Sequence, residues 1–424
     1  MNILLVSASR TSVNMPCFPL GLSYVASSLK EKGHRVEVTD LFDTGEIEPA
    51  LEEKIKKFVP ALIGISIRNI DNQDPFNQEI YLPHIKSAVD ICRKYSSAPV
   101  VLGGAGYSIF PYALLSYVKG DYGIAGEGEF VLCEMAENFE KGLSITEIPG
   151  VISLSAAKTE KIFPVHNFIS SPVPALNLFN IGKYADKNPM SFQCKRGCAM
   201  KCIYCTNPLI EGRKLRIRPL AVVADEIEIF HKNYGIKNFF FVDSNFNYPS
   251  EYALFLCKEI ISRKLHINWT CIINPSFVTS ELAELMKKAG CNEISLGFES
   301  GSDRILKTMK KTFTKREIKK TSEIFRKYDI KQIGFLLFGS PGETEQTVEE
   351  SIAFAESLNP DMMKLTPAIR LYPGTELANI AVREGMITEE DELLNPSYYI
   401  SKDLKEWLFE KVQTEVKNHA GWFC

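Results

Sequence analysis

The chain has 424 residues, 45% of them hydrophobic and 24% charged, with a formal net charge of −3. That is enough for two or three domains with ample core, and the weak negative charge gives no general attraction to nucleic acid or to an anionic membrane. No apolar run is long enough to span a bilayer. The eleven cysteines are odd in number, and no secretory signal precedes Met1-Asn2-Ile3. Free thiols in a reducing cytoplasm are therefore expected, not a disulfide framework.

Residues 1–145 alternate strand and helix patterns. Ile3–Ser7 is a short apolar run, as a buried parallel strand should be. Leu20–Lys32 has helical spacing and stops at Gly33. Strands follow at Arg35–Thr39, Ala61–Ile67, Val100–Leu102 and Tyr122–Ala125, with a helix around His84–Lys94. The last two strands run into Gly103-Gly104-Ala105-Gly106 and Gly126-Glu127-Gly128-Glu129. Strands alternating with helices imply a doubly wound, Rossmann-like parallel sheet, whose ligands sit at the strand carboxyl ends. Over 146–189, Val151–Lys161 reads as a small hairpin, and the Pro-, Asn- and Ser-rich Phe163–Pro189 as a linker.

A second α/β series fills 190–374. Its expected strands are Ser191–Cys194, Asn238–Asp243, Ile267–Ile273, Glu293–Phe298, Gln332–Phe338 and Met363–Arg370, with helices such as Ala221–Tyr234, Thr279–Lys288 and Lys315–Tyr328 between them. Six β/α units make a partial (β/α)6 barrel, with its chemistry in the loops after the strands. Residues 375–424 read as a short helical region around Asp403–Lys417, and Cys424 as part of a frayed end.

The most informative run is CKRGCAMKCIYC, residues 194–205, directly after the first barrel strand. Cys198, Cys202 and Cys205 are separated by three and then two residues. Three thiolates on one short loop can hold three corners of an iron–sulfur cube and leave the fourth iron open to a small ligand. A closed zinc site with Cys194 as fourth ligand is the rival reading. The other strand ends carry Asp243-Ser244, Gly297-Phe298-Glu299-Ser300, Gly339-Ser340-Pro341-Gly342-Glu343-Thr344 and Arg370-Leu371-Tyr372-Pro373-Gly374-Thr375. Glu299 can accept two ribose hydroxyls through paired oxygens, or simply favour a helix N-terminus. The last two segments also read as plain Pro-Gly turns.

These segments together resemble the radical S-adenosylmethionine (SAM) superfamily. The cysteine spacing with Tyr204, and GFESGSDRILKTMKK, FGSPGETEQT and RLYPGTEL, are similar to the signatures of its group with an N-terminal cobalamin-binding domain. PLGLSYVASSLKEKGHRVEV, IGISIRNID, VVLGGAG and IAGEGE are similar to that domain. The resemblance implies a [4Fe–4S] cluster on the three cysteines, with SAM chelated to its open iron. Tyr204, Asp243, Ser244, Glu299, Ser300 and Arg370 would lie around SAM. Cobalamin would be held by Ser66, Arg68, Asn69, Gly103, Gly104, Gly126 and Glu127. The implied activity is a cobalamin-dependent methyltransferase: a 5′-deoxyadenosyl radical takes hydrogen from a substrate carbon, which then receives the methyl group of methylcobalamin. Relatives that rearrange or cyclise are the alternative. A small-molecule, lipid or peptide substrate and an external low-potential electron donor such as flavodoxin or ferredoxin are implied.

None of the six histidines lies in an Asp-x-His-x-x-Gly motif, the usual donor of a histidine to cobalt. The loop after the third strand, Arg68-Asn69-Ile70-Asp71-Asn72, would then lie under the corrin. An arginine has no lone pair to offer cobalt, so Arg68 there would favour a metal without a lower ligand; a salt bridge to Asp71 is the alternative. Two further readings stay open. One is a cobalamin sensor with a structural cluster. The other is a tRNA methylthiotransferase, which needs a second cluster on Cys17, Cys92 and Cys133. Arg216 or Arg218 is a candidate for the SAM carboxylate, and the basic stretch Lys307–Lys320 reads as a solvated helix face.

Overall fold

In the computed structural model, which describes residues 1–9, 17–42, 44–155, 168–185 and 188–424, two parallel sheets are each wrapped by helices. The first is built from β1 (Asn2–Ser7), α1 (Leu20–Glu31), β2 (Arg35–Asp40), α2 (Ile47–Phe58), β3 (Leu62–Ser66), α3 (Leu82–Tyr95), β4 (Val100–Gly103), α4 (Ala105–Ile109), α5 (Pro111–Val118), β5 (Tyr122–Ile124), α6 (Gly128–Lys141) and β6 (Val151–Ile152). Strand order is β2-β1-β3-β4-β5-β6, with only β6 antiparallel. β1 is apolar and buried because it has a strand on either side and helices over both faces. The chain winds outward from β1 to β2 and, in the other direction, from β3 to β5. The crevice at the carboxyl ends of β1 and β3 is therefore the topological switch point.

Two expectations for 146–189 change. Val151–Ile152 pairs with β5 instead of opening a hairpin, and most of the expected second arm lies outside the described residues. Residues 168–185 include the helical turn α7 (Gly182–Ala185) and are packed, not a free linker. Phe168, Leu176 and Tyr184 are buried, since apolar and aromatic side chains among the prolines find core to enter.

The second half contains β7 (Met190–Phe192), β8 (Lys195–Arg196), α8 (Asn207–Ile210), β9 (Arg216–Ile217), α9 (Leu220–Tyr234), β10 (Asn238–Phe241), α10 (Ser250–Ser262), β11 (Asn268–Ile273), α11 (Ser280–Lys288), β12 (Cys291–Glu299), α12 (Asp303–Thr308), α13 (Lys315–Lys327), β13 (Lys331–Leu337), α14 (Glu345–Leu358), β14 (Met362–Thr366), β15 (Ile369–Arg370), α15 (Glu376–Arg383), β16 (Tyr398–Tyr399), α16 (Lys405–Asn418) and β17 (Trp422–Phe423). Its sheet runs β7-β10-β11-β12-β13-β14-β17, all parallel. The expected sixth strand is split at Pro367, which has no N–H to continue the ladder; β15 leaves the sheet and pairs antiparallel with β16. The C-terminal helix is followed by β17, so Cys424 succeeds a paired strand and is not at a frayed end.

The two halves share their cores. Phe18, Leu20 and Tyr24 join the apolar cluster of the barrel, while Ile203, Ile305, Met309, Ile369 and Leu371 join that of the first sheet. Each such side chain contributes about 1.5–3 kcal/mol when fully buried. The sheets are thus fixed to one another. No helix among the described residues is long and apolar enough to cross a membrane.

Candidate active site

β8 and β9 pair antiparallel and close the base of the loop that carries Cys198, Cys202 and Cys205. Gly197 has φ +93°, and a Cβ there would meet the Lys214 carbonyl oxygen at 2.3 Å, so only glycine fits. The Cys198 N–H donates to Gly212 O at 3.1 Å, and the Cys205 N–H to Cys202 O at 3.3 Å. Buried Ile203 pins the loop: its N–H donates to Met309 O (3.3 Å), and its carbonyl accepts from the Leu377 N–H (2.9 Å). Cys194 is not part of this set, because its side chain lies in the barrel core.

Tyr204 donates its hydroxyl to Glu299 Oε1 (3.0 Å), and Lys311 Nζ reaches both the Tyr204 oxygen (2.9 Å) and Glu299 Oε1 (3.1 Å). Burial alone would lower the Lys311 pKa, but Glu299 and Tyr204 outweigh it and hold the ammonium charged. Burial, then the Glu299 charge, drives the Tyr204 hydroxyl well above its usual range, so it stays a donor. Glu299 ends β12 at φ +65°, beside a register shift between Gly297 and Glu299. A non-glycine residue held there signals local strain, which concentrates at functional sites. Lys311 had been hidden in the basic stretch Lys307–Lys320, yet its side chain is only 7% exposed; what marks it is its place directly after the helix α12.

Other candidates are turned to architecture. Asp243 is fully buried, accepts the Cys194 and Lys195 N–H groups (2.8 and 3.1 Å) and pairs with Lys195 Nζ at 3.3 Å. Ser244 Oγ accepts from Asn207 Nδ2 at 3.0 Å, tying β10 to the turn after Cys205. Ser300 Oγ bonds Ser351 Oγ and accepts from the Ser302 N–H. Arg370 is buried, paired with Asp71 (3.0 Å), and also donates to Leu371 O and Leu393 O. This pairing removes the alternative partner weighed for Arg68. Arg216 clamps Glu127 with one Nη (2.5 and 2.6 Å), and Arg218 is locked to Glu226 (2.6 Å). Neither arginine is left to reach a SAM carboxylate.

A cavity of about 450 Å³ opens at the carboxyl ends of the first sheet and is lined from both halves, by Ser66, Arg68, Gly103, Gly104, Gly126 and Glu127 on one side and Gln193, Arg196 and Glu211 on the other. The Arg68 side chain is exposed there and forms no ion pair among the described residues. Asn69 is half-buried beside it and does not line the cavity. Gly104 has φ +97°, and a Cβ would meet Ile67 O at 2.6 Å; its lack of a side chain is required by the turn itself. The Gly126 N–H donates to Ser108 Oγ (2.9 Å). The Glu127 carboxylate is taken by Arg216 and, at 3.1 Å, by Arg196, which also pairs with Glu129 at 2.6 Å. Glu129 and Arg196 each lie in a run the sequence singles out, 126–129 and 194–205, but nothing in the sequence pairs them across 67 positions.

Two family models match the chain: the B12 binding domain over residues 6–136 and the radical SAM superfamily over 193–355. The chain carries a B12-binding domain followed by a radical SAM domain. An uncharacterized methyltransferase of Pyrococcus horikoshii is 28% identical, over 96% of this chain and 91% of its own length. A tryptophan 2-C-methyltransferase of Streptomyces laurentii is 24% identical, over 86% and 72%. The fold matches the radical SAM methyltransferase TsrM of Kitasatospora setae, solved with tryptophan and a SAM analogue, at a TM-score of 0.87 and 24% identity, over 99% of this chain and 89% of that one. It also matches the cobalamin-dependent radical SAM enzyme OxsB at 0.79 and 16%, over 98% and 67%.

A radical SAM domain takes a [4Fe–4S] cluster and SAM, and a B12-binding domain takes cobalamin; the residues present fit all three. Burial raises the Cys198 thiol and lifts Cys205 to about 12, so their thiolates need the positive charge that iron supplies. A single zinc ion fits less well. Zn–S bonds of ~2.3 Å bring tetrahedral sulfurs to roughly 3.8 Å. Among the described residues, the group of three such ligand atoms within 4.8 Å of one another is that of Glu356, Glu415 and His419, not the thiols. Nor do Cys17, Cys92 and Cys133 gather for a second cluster: Cys92 and Cys133 are buried in different core clusters, and Cys17 lines the cavity. The B12-binding domain offers its cavity at the switch point, where such sheets bind ligands.

Proposed function

We propose that this protein is a cobalamin-dependent radical SAM methyltransferase that places a methyl group on a carbon of a small molecule. The observation that carries the reading is a cavity lined by both halves, with the cysteine loop closed at its base by Arg196, one of the lining residues. The names of the relatives, a tryptophan 2-C-methyltransferase among them, favour methyl transfer over rearrangement.

When bound, cobalamin supplies the methyl carrier, and the cluster with SAM supplies one-electron and radical chemistry; the chain supplies geometry. Cys198, Cys202 and Cys205 would hold the cluster and leave it open to SAM. Lys311 and Tyr204 occupy Glu299 Oε1, which fixes the carboxylate and leaves Oε2 to accept ribose hydroxyls. Arg68 lines the cavity and has no lone pair, so beside cobalamin it would supply a charged donor and not a metal ligand. An external low-potential donor provides electrons. All eleven cysteines are free, which suits a reducing cytoplasm.

The test is anaerobic purification with cobalamin supplied, then iron and corrin analysis and assay of SAM products under a low-potential reductant. About four irons, one corrin, and both S-adenosylhomocysteine and 5′-deoxyadenosine are expected. Cys202→Ala should lose iron and SAM cleavage together while keeping the corrin. 5′-Deoxyadenosine alone would refute methyl transfer, and a corrin-free protein would refute the use of cobalamin.

A further inference from the structure

The cavity does more than open at the strand ends. It runs inward, into the layer between the first sheet and the helices α1 and α6. Its walls there are Leu5, Val101 and Ile124 from the strands, Leu22 and Val25 from α1, and Leu132 from α6. The same residues belong to the apolar cluster of that layer, so the cavity is a place where a core layer is left unfilled. Glycines border it: Gly64 faces Leu5 and Leu132, Gly128 faces Val25, and a Cβ on Gly21, in the first turn of α1, would meet nothing within 4 Å. Glycine in a helix is less stable than alanine by roughly 1 kcal/mol, and no neighbour in the chain requires it at Gly21.

Among the described residues the inner end offers no free hydrogen-bonding group. β1, β3 and β4 each lie between two strands and direct their backbone groups to them. The polar lining side chains sit at the strand carboxyl ends, and Glu127, Glu129 and Arg196 there already have partners. The whole cavity is about 450 Å³, so its inner part admits a flat base, not a corrin ring with its amide arms.

Resting on the reading of this cavity as the cobalamin site, we propose that the protein selects its corrinoid by the polarity of the lower base, accepting an apolar benzimidazole and rejecting a purine. A benzimidazole buries one ring nitrogen on an otherwise hydrocarbon surface that gains from leaving water. An adenine buries an amine and ring nitrogens, and each group left without a partner bears its desolvation cost.

The experiment measures equilibrium binding by corrin absorbance, using the full-length protein and three probes: cobalamin, its adenine-containing analogue, and cobinamide, which lacks the nucleotide tail. Cobalamin should bind at least tenfold more tightly than the adenine analogue, which should fall near cobinamide. Val25→Phe, which fills the inner end, should bring cobalamin down to the cobinamide affinity while cobinamide binding persists. Equal affinity for the two bases would overturn the proposal, as would a Val25→Phe protein that keeps the cobalamin preference. Failure of all three probes to bind would instead overturn the cobalamin reading beneath it.

Discussion

In the second half the layer between strands and helices is filled: Phe241, Phe246 and Trp269 pack with ring centroids 4.8–5.3 Å apart. In the first sheet the corresponding layer, between strands and the α1/α6 pair, is left partly unfilled by the cavity of about 450 Å³ that both halves line. Both sheets are parallel and both present their strand carboxyl ends to the shared region, yet one builds its site on loops above a solid floor and the other leaves out part of the floor. A reactive group that must not shift gains from the first solution, because close-packed interiors are stiff. A large ligand that must be gripped gains from the second, because a cavity supplies buried area. Ion pairs buried between the halves hold the two solutions in one frame.

That frame can be broken most severely at Arg370. Arg370→Met leaves Asp71 buried without its partner, and such losses amount to about 3–5 kcal/mol. Denaturant unfolding should show it, and Arg370→Met with Asp71→Leu should recover most of the loss. A single-variant effect under ~1 kcal/mol would mean that the pair behaves as a surface bridge.

The stiffness of the barrel loops is open to a pH experiment. Glu343 accepts the Gly339 and Ser340 N–H groups through Oε2 (2.6 and 3.1 Å), while Oε1 is buried without a partner. Burial raises its pKa to about 7, above the ~4.3 of a free glutamate. Between those values the folded state holds a proton that the unfolded state has released. The stabilisation is therefore complete below the lower value, is lost as pH rises to the upper one, and changes no further above it. Glu343→Gln should remove this slope. Wild type should lose up to about 3 kcal/mol relative to the variant between pH 4.5 and 7.5, read by thermal melts across that range.

Arg68 sharpens the other side of the comparison. It lines the cavity and has no ion pair among the described residues, so Arg68→Ala should change stability by less than ~0.5 kcal/mol. Arg68→His offers cobalt a lone pair and should shift the absorption spectrum of bound cobalamin. An unchanged spectrum would place Arg68 away from the metal.

The barrel was legible in the sequence because its chemistry is punctuated. The cysteine spacing, and the Gly, Pro and acidic residues at strand ends, occur where alternating hydrophobicity stops. What sequence does not carry is which charged group finds which. Arg370 and Asp71 lie 299 positions apart, and Arg216 and Glu127 89 apart, so residues that read as ligand contacts became clamps between the halves. Lys311 read as solvated because neighbouring lysines are; one turn beyond α12 carries it under Tyr204. The unfilled layer at Leu5, Gly64 and Leu132 left no pattern at all, since an apolar residue beside a cavity reads like one in a full core. Gly21 was the nearest thing to a trace, a glycine inside an otherwise regular helical run.

Because Phe18, Leu20 and Tyr24 sit in the core of the barrel, and Ile203, Ile305 and Met309 in that of the first sheet, parting the two lobes would expose all of these side chains to water at once. The separation of the two cofactor sites is set once, when the chain folds, and every turnover inherits it. Traffic is constrained in the same way: a route for substrate or spent SAM that spreads the lobes would carry the cost of baring that shared core.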